Sequence, residues 1–152
     1  MDKSTENKDK TCKQILIATD GSKASEDAAY LGIKFARQYE AKVFAMYVID
    51  VVAHDSILMD KSWEIDECAE CEKKGEKATS AVVDKAKFAG LEAEPIILKG
   101  NPAEKILDFA NEHKIDMIVV GSLGKSGIER FAMGSVSEKI ARYSKVPVLV
   151  AR

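Results

Sequence analysis

The feature of this sequence that most constrains its fold is an alternation of short apolar runs with longer stretches of helical character. Five apolar runs lie at residues 14–19, 42–49, 92–99, 115–120 and 146–151. Between most of them, apolar residues recur at helical spacing or helix-forming residues dominate. Such alternation is typical of parallel strands joined by crossover helices. The sequence therefore predicts an α/β fold with five strands and four helices.

Length and composition indicate one domain. The chain has 152 residues, of which 46% are hydrophobic, enough to bury a single core. Residues 1–12 are almost wholly polar or charged, so they cannot offset the entropy cost of ordering and are expected to form a disordered lead-in. The domain is predicted to span residues 13–152.

Charge and hydropathy exclude several classes of function. The 23 Lys and Arg nearly balance the 25 Asp and Glu, giving a net charge of −2, so we expect no nucleic-acid partner. No apolar run approaches the roughly 20 residues that cross a bilayer, and residues 1–13 lack the apolar segment of a signal peptide. We therefore expect a cytoplasmic protein without a membrane partner. Its three cysteines, Cys12, Cys68 and Cys71, are expected to be free thiols.

The order of the strands in the sheet follows from one proline. Right-handed crossovers leave 2-1-3-4-5 and 3-2-1-4-5 as the natural doubly wound orders, with helices on both faces. Pro95 removes a ladder donor from the third strand and favours an edge position for it. In the order 3-2-1-4-5 the winding reverses between strands one and four, and ligands bind beyond the carboxyl ends of strands at such a reversal. Those ends are Thr19-Asp20 and Val120-Gly121, so a ligand crevice is predicted there.

A glycine-bearing segment follows the fourth strand. It reads GSLGKSGIERFAMGS from Gly121 to Ser135 and leads from a strand, through a loop, into a helix. Glycines let main-chain amides approach a ligand without an intervening Cβ. The amides of Gly134, Ser135 and Val136 are expected to point out of the helix start, where unpaired donors and the helix dipole attract phosphate. The hydroxyl of Ser135 adds one more donor.

The spacing G-x2-G-x9-G-S of this segment resembles the ATP-binding signature of the universal stress protein family. Four further stretches resemble the family in the same order: residues 19–22, residues 47–50, the turn at residues 100–102 and the closing residues 144–150. Together they cover about residues 13–152. The resemblance implies a five-stranded sheet in the order 3-2-1-4-5 and an ATP-binding module with a signalling role in stress tolerance.

The resemblance also implies how the crevice would hold ATP, or AMP instead. Asp20 would face the ribose or a phosphate-bound Mg or Mn ion, and the backbone around Val48 would meet the adenine. Contacts to the ribose and phosphates would come from the strand ends and glycine turns, at Thr19, Val120, Gly121, Leu123, Gly124, Gly134, Ser135 and Val136. Leu123 stands where ATP-binding members often have a polar residue, but binding is expected to survive because most phosphate donors are backbone amides. Members are commonly homodimers that pair through the final strand, here residues 146–151.

Several of these residues also have a purely structural interpretation. Gly121 and Gly124 could simply be turn residues, since glycine is common in turns after a strand. Asp20 could cap the first helix, for which Ser22 is also a plausible N-cap. Ser135 and Glu138 fit a capping box, in which the serine hydroxyl stabilises its own helix.

Two other classes of function remain alternatives. One is an enzyme on the same scaffold, either a slow ATP hydrolase or a nucleotidyl-transfer enzyme. The sequence contains neither a G-x-x-x-x-G-K-[ST] loop nor an S-G-G-x-[DS]-like loop after the first strand. The other is a thiol-based sensor that uses Cys68 and Cys71, although three neighbouring glutamates should raise the pKa of both thiols.

Four other side chains are candidate ligands or lid residues. His54 and His113 lack metal-ligand spacing and are predicted to lie on the surface. Met59 and Trp63 either cover the crevice or pack on the core, and packing is favoured.

Overall fold

Strands and helices alternate along the chain. The computed structural model describes residues 12–51, 61–122 and 133–152, with the side chains of residues 61–68 outside the description. The elements are β1 (Gln14–Ala18), α1 (Lys23–Tyr39), β2 (Lys42–Asp50), α2 (Lys61–Phe88), β3 (Ala93–Gly100), α3 (Pro102–Glu112), β4 (Met117–Gly121), α4 (Ser135–Tyr143) and β5 (Val148–Ala151). Within these ranges the predicted five strands and four helices are confirmed. The lead-in up to residue 11 and most of the segment at 51–62 lie outside the described residues.

All strand pairs are parallel and the sheet order is β3-β2-β1-β4-β5, as predicted. Pro95 lies opposite Ala45 in the β2–β3 pair, and β3 is an edge strand. The missing amide of the proline is therefore tolerated at the sheet edge. The winding reverses between β1 and β4, where the crevice was predicted.

The helices cover both faces of the sheet, and the alternation of side chains along β1 explains how. Ile15 and Ile17 pack in one core with α1 and α2, while Leu16 packs in a second core with α3 and α4. All three are fully buried. A strand covered on both faces needs an unbroken apolar run, which is what the sequence of β1 provides.

Two helix starts are capped by polar side chains, of which the cap at Ser22 was predicted. Ser22 caps α1, and its side chain accepts a hydrogen bond from the Ser25 amide at 3.2 Å. Asn101 caps α3 in the same way through the Glu104 amide at 3.2 Å, with Pro102 in the first turn. Both helices therefore begin at a defined residue at the carboxyl edge of the sheet.

The start of α4 is not the capping box that Ser135 and Glu138 could form. Gly134 is the N-cap, with φ −61° and ψ 154°, and no side chain of the described residues caps the helix. Ser135 is thus the first helical residue, so its hydroxyl is not in the position that a capping box requires. Glu138 instead pairs with Arg142 at 2.9 Å along the exposed face.

The last two strands begin two residues later than predicted. Ile115 is buried, but its amide bonds to the Ala110 carbonyl at the end of α3, so β4 starts at Met117. Before β5, the Ser144 hydroxyl bonds both the amide and the carbonyl of Val146, and this local turn takes the place of strand pairing. Among the described residues, no helix is both long and apolar enough to span a bilayer.

Candidate functional site

The carboxyl ends of β1, β2 and β4 meet at the reversal of winding. Ile17 lies opposite Val119, so in these parallel strands Thr19 and Gly121 come level two residues further on. Adjacent strands are about 4.8 Å apart. On the other side of β1, the Thr19 amide donates to the Met46 carbonyl at 2.9 Å. The structure therefore brings together the predicted residues at the ends of the first and fourth strands.

Hydroxyl groups hold the turn between β1 and α1. Thr19 and Ser25 are buried, and their side-chain oxygens are 3.2 Å apart. The Thr19 hydroxyl also accepts from the Gly21 amide at 3.2 Å, and the Ser25 hydroxyl donates to the Ser22 carbonyl at 2.8 Å. Gly21 has φ +78°, a conformation that side chains disfavour. This network fixes the backbone on both sides of Asp20.

Asp20 is half-buried in this turn. Its Oδ1 accepts a hydrogen bond from the Ser22 amide at 2.8 Å. Asp20 therefore does not cap α1 itself, because Ser22 occupies that position, and the capping interpretation of Asp20 was wrong. No described residue donates a hydrogen bond to its second oxygen, Oδ2. One oxygen orients the carboxylate, and the other is available to a cation or a hydroxyl group.

Gly121 has a packing reason to be glycine. A Cβ at this position would lie 3.0 Å from both the carbonyl carbon and the oxygen of Ala24, and 3.2 Å from the Ser25 amide nitrogen. The backbone of the first turn of α1 thus packs directly against the backbone at the end of β4. The sequence suggested close approach of a ligand at this glycine, whereas the close approach in the structure is that of α1.

The start of α4 is attached to the end of β4. The Gly134 amide donates to the Ser122 carbonyl at 2.6 Å, and the Ser122 amide donates to the Ala151 carbonyl at 2.8 Å. The Gly134 amide, predicted as a phosphate donor, is therefore engaged within the protein, which corrects that part of the prediction. Ser135 and Val136 follow in the first helical turn, where amides have no partner within the helix. Ser135 is exposed and Val136 half-buried.

The backbone of Val48 borders the same crevice. Main-chain groups in a parallel strand face alternate neighbours, so Val48 faces the same side as Met46, whose carbonyl bonds Thr19. Because β1 ends at Ala18, opposite Met46, no described strand lies beside Val48 on that side. Its amide and carbonyl are thus positioned to contact a ligand.

The remaining predicted site residues divide into two groups. The Val120 side chain is buried in the core that includes Ile140, so only its main chain can border the crevice. Leu123 and Gly124 lie outside the described residues. Their predicted contacts stay predictions.

The other candidate side chains do not form a second site among the described residues. His54 and Met59 lie outside them, as do the side chains of Trp63 and Cys68. Cys71 is a free, half-buried thiol. His113 is exposed, as predicted, and stacks on Phe109 with ring centroids 3.9 Å apart. In the described ranges no three His, Cys, Asp or Glu side chains are grouped so as to hold a metal ion.

Cys12 is free, half-buried and remote from the crevice, at the opposite end of β1. Burial raises the pKa of its thiol, and the negative charge of Asp116 raises it further. A thiol with a raised pKa is a poor nucleophile at neutral pH.

Sequence reasoning placed Thr19 at the crevice but did not single out the other buried hydroxyl residues beside it, Ser25, Ser122 and Ser137. The single proton of the Ser137 hydroxyl is shared between the Ser122 carbonyl at 3.2 Å and the Gly134 carbonyl at 3.0 Å. Their common signal is a small polar residue beside a strand end or a helix start, where backbone groups lack partners.

Comparison with known proteins assigns the sequence that forms these strand ends and turns to one family. The family model described as the universal stress protein family matches residues 11–152. The chain belongs to the universal stress protein family. A universal stress protein of Methanocaldococcus jannaschii is 38% identical over 141 residues, covering 92% of this chain and 82% of the relative. The residues that the family model matches include all five strands described above.

Solved structures of other universal stress proteins share the fold. The protein UspA from Lactobacillus plantarum superposes with a TM-score of 0.77 at 25% identity, covering 93% of this chain and 98% of that one. A universal stress protein solved in complex with cAMP has a TM-score of 0.68 at 26% identity, with 93% and 98% coverage. That neighbour therefore binds an adenine nucleotide.

Proposed function

We propose that this universal stress protein binds ATP in the crevice between the ends of β1, β2 and β4 and acts in stress tolerance as a nucleotide-dependent signalling module. The observation that carries the proposal is the first turn of α4, which Ser122 holds at the end of β4, while the Asp20 turn lies at the end of the neighbouring strand β1. The similarity to a neighbour solved with cAMP supports an adenine nucleotide as the ligand.

The adenine is assigned to the main chain of Val48. An amide donor and a carbonyl acceptor on one side of a strand complement the N1 acceptor and the N6 amino donor of adenine. The open side of Val48 offers both groups next to the end of β1. Backbone recognition of this kind reads the base without a polar side chain, which fits the apolar sequence of β2.

The phosphates are assigned to the first turn of α4. The amides of Ser135 and Val136, the positive end of the helix dipole and the exposed Ser135 hydroxyl all favour an anion. The Gly134 amide is excluded from this set because it bonds Ser122.

Asp20 would hold a divalent cation that arrives with the nucleotide. Mg and Mn prefer oxygen ligands, and Mg commonly binds through one or two carboxylates together with substrate phosphates. The geometry fits this use, because Oδ1 is fixed by the Ser22 amide and Oδ2 has no donor among the described residues. The phosphate oxygens and water would supply the remaining ligands.

The substitution Asp20→Asn tests the role of the carboxylate charge. Asparagine keeps an oxygen that can accept from the Ser22 amide, so the turn and the stability should be preserved. The affinity for ATP measured by calorimetry with Mg present should fall about tenfold, the loss of one charge-assisted contact. Without Mg, wild type and variant should bind alike; an equal affinity in the presence of Mg would contradict the assignment.

The proposed function is tested most simply by identifying what the purified protein carries. Mass spectrometry of the material released on denaturation should detect ATP, with AMP as the alternative nucleotide. If the protein carries no nucleotide and calorimetry detects no binding of ATP, AMP or cAMP, the proposed function is wrong.

We further propose that two copies pair through β5. This strand is the edge of the sheet next to β4, and an unpaired edge offers main-chain groups to another strand. On one face of the sheet, Leu149 of β5 packs against the core that also contacts Phe35. Analytical ultracentrifugation should therefore give twice the mass of the chain, and a monomer at micromolar concentration would contradict pairing.

A further inference from the structure

One buried hydroxyl joins the first turn of α4 to the sheet. Ser137 is the third residue of α4 and is 4% exposed. Its hydroxyl lies 3.2 Å from the Ser122 carbonyl, the same oxygen that accepts from the Gly134 amide. Ser122 is buried too and is held in turn by the Ala151 carbonyl at 2.8 Å. The chain from Ser137 through Ser122 to β5 is thus continuous.

We propose that Ser137 is a positioning residue, which sets the distance between the anion-binding turn of α4 and the rest of the crevice. The inference rests on the proposed function, since it concerns how the same site holds phosphate. Ser137 has no assigned contact with the nucleotide. It acts through Ser122, which follows the end of β4, and through Gly134, the N-cap of α4.

The contact with Ser122 is more than the satisfaction of a buried hydroxyl. The bond from Ser137 to the Gly134 carbonyl at 3.0 Å would by itself supply a partner within the same helical turn. Thr79 shows that simpler case. It is 1% exposed, and the partners of its hydroxyl among the described residues are the carbonyls of Gly75 and Glu76, both inside α2. Ser137 differs because it also bonds a residue of another element.

The position of the helix start matters because the free amides are few. Ser135 and Val136 lie between Gly134 and Ser137, the two residues that bond the Ser122 carbonyl. With the Ser137 bond removed, the Gly134 amide is the one described donor left to the Ser122 carbonyl. If the turn is displaced, its contacts with a bound group become weaker. If the turn has to be ordered on binding, that ordering adds a free-energy cost that a preformed turn avoids.

The test compares Ser137→Ala with Thr79→Val. The second substitution removes a buried hydroxyl whose described partners lie within its own helix. Calorimetry with Mg present measures ATP and adenosine separately. Ser137→Ala should bind ATP about tenfold more weakly and adenosine as well as wild type does, because only the phosphates meet α4. Thr79→Val should leave both affinities unchanged, although its stability falls by a similar amount.

A second variant separates the hydrogen bond from the volume of the side chain. Ser137→Cys nearly preserves the shape of serine but offers only a weak donor, so it should resemble Ser137→Ala in ATP affinity. Amide exchange at Gly134 should be faster in both variants, while exchange in β1 should be unchanged.

The outcomes distinguish this inference from the proposed function. If wild type binds ATP normally and Ser137→Ala binds it equally well, or loses ATP and adenosine in the same proportion, the positioning role is wrong and the proposed function stands. If wild type binds neither ATP nor adenosine, both are wrong.

Discussion

Replacement of Gly134 by valine is expected to abolish ATP binding while the fold is retained. Gly134 has φ −61° and ψ 154°, angles open to any residue, so valine adds no backbone strain. An N-cap side chain lies over the first amides of its helix, which is why polar N-cap residues can accept from them. A branched apolar side chain would therefore cover the amides assigned to the phosphates. We expect affinity to fall by about a hundredfold or more, near 3 kcal/mol.

Calorimetry with ATP and a urea unfolding curve together check this expectation. Lys139→Val is the matched control, because it introduces the same side chain at an exposed position of the same helix. The control should bind ATP like wild type. If Gly134→Val binds ATP with undiminished affinity and an unchanged unfolding curve, the phosphates do not meet α4.

Gly121→Ala is expected to cause the largest loss of stability. The new methyl group would lie 3.0 Å from the carbonyl carbon and oxygen of Ala24, and main-chain atoms cannot move aside as a side-chain end can. Either α1 or the end of β4 has to shift. Overpacking of this kind costs about 1–3 kcal/mol, which corresponds to a fall in Tm of roughly 3–10 °C.

Gly32→Ala is the comparison for this effect. It adds the same methyl group, and the nearest atom is the terminal carbon Cδ1 of Ile17 at 2.9 Å, the mobile end of a side chain. Gly32 is also inside α1, where alanine favours the helix by about 1 kcal/mol. Thermal unfolding should therefore show a smaller loss for Gly32→Ala than for Gly121→Ala. The reverse order would mean that the contact between α1 and β4 yields easily.

The sheet could be predicted because its determinants are local in sequence. Each strand has its own apolar run, and Pro95 placed β3 at an edge through the chemistry of a single residue. The cap at Ser22 was predicted for the same reason, since a cap is set by residues within one turn. Local chemistry of this kind needs no knowledge of distant contacts.

The details of the site could not be predicted because they depend on residues far apart in sequence. The reason for glycine at position 121 is the backbone of Ala24, nearly a hundred residues earlier. The amide of Gly134 was wrongly predicted as a free phosphate donor. Its partner, the Ser122 carbonyl, is brought next to it only by the folded path of the chain, which the sequence does not show. The spacing of the motif identifies the correct segment, and the contacts between segments decide which atoms remain free.

The hydrogen bond from Ser122 to Ala151 gives the last strand a second role. The Ala151 carbonyl that holds Ser122 belongs to the strand that forms the outer edge of the sheet. A molecule that pairs with that edge and an anion that occupies the start of α4 therefore act on one short stretch of backbone from opposite sides. If pairing at the edge changes the affinity for the anion, then binding of the anion changes the affinity for pairing by the same factor.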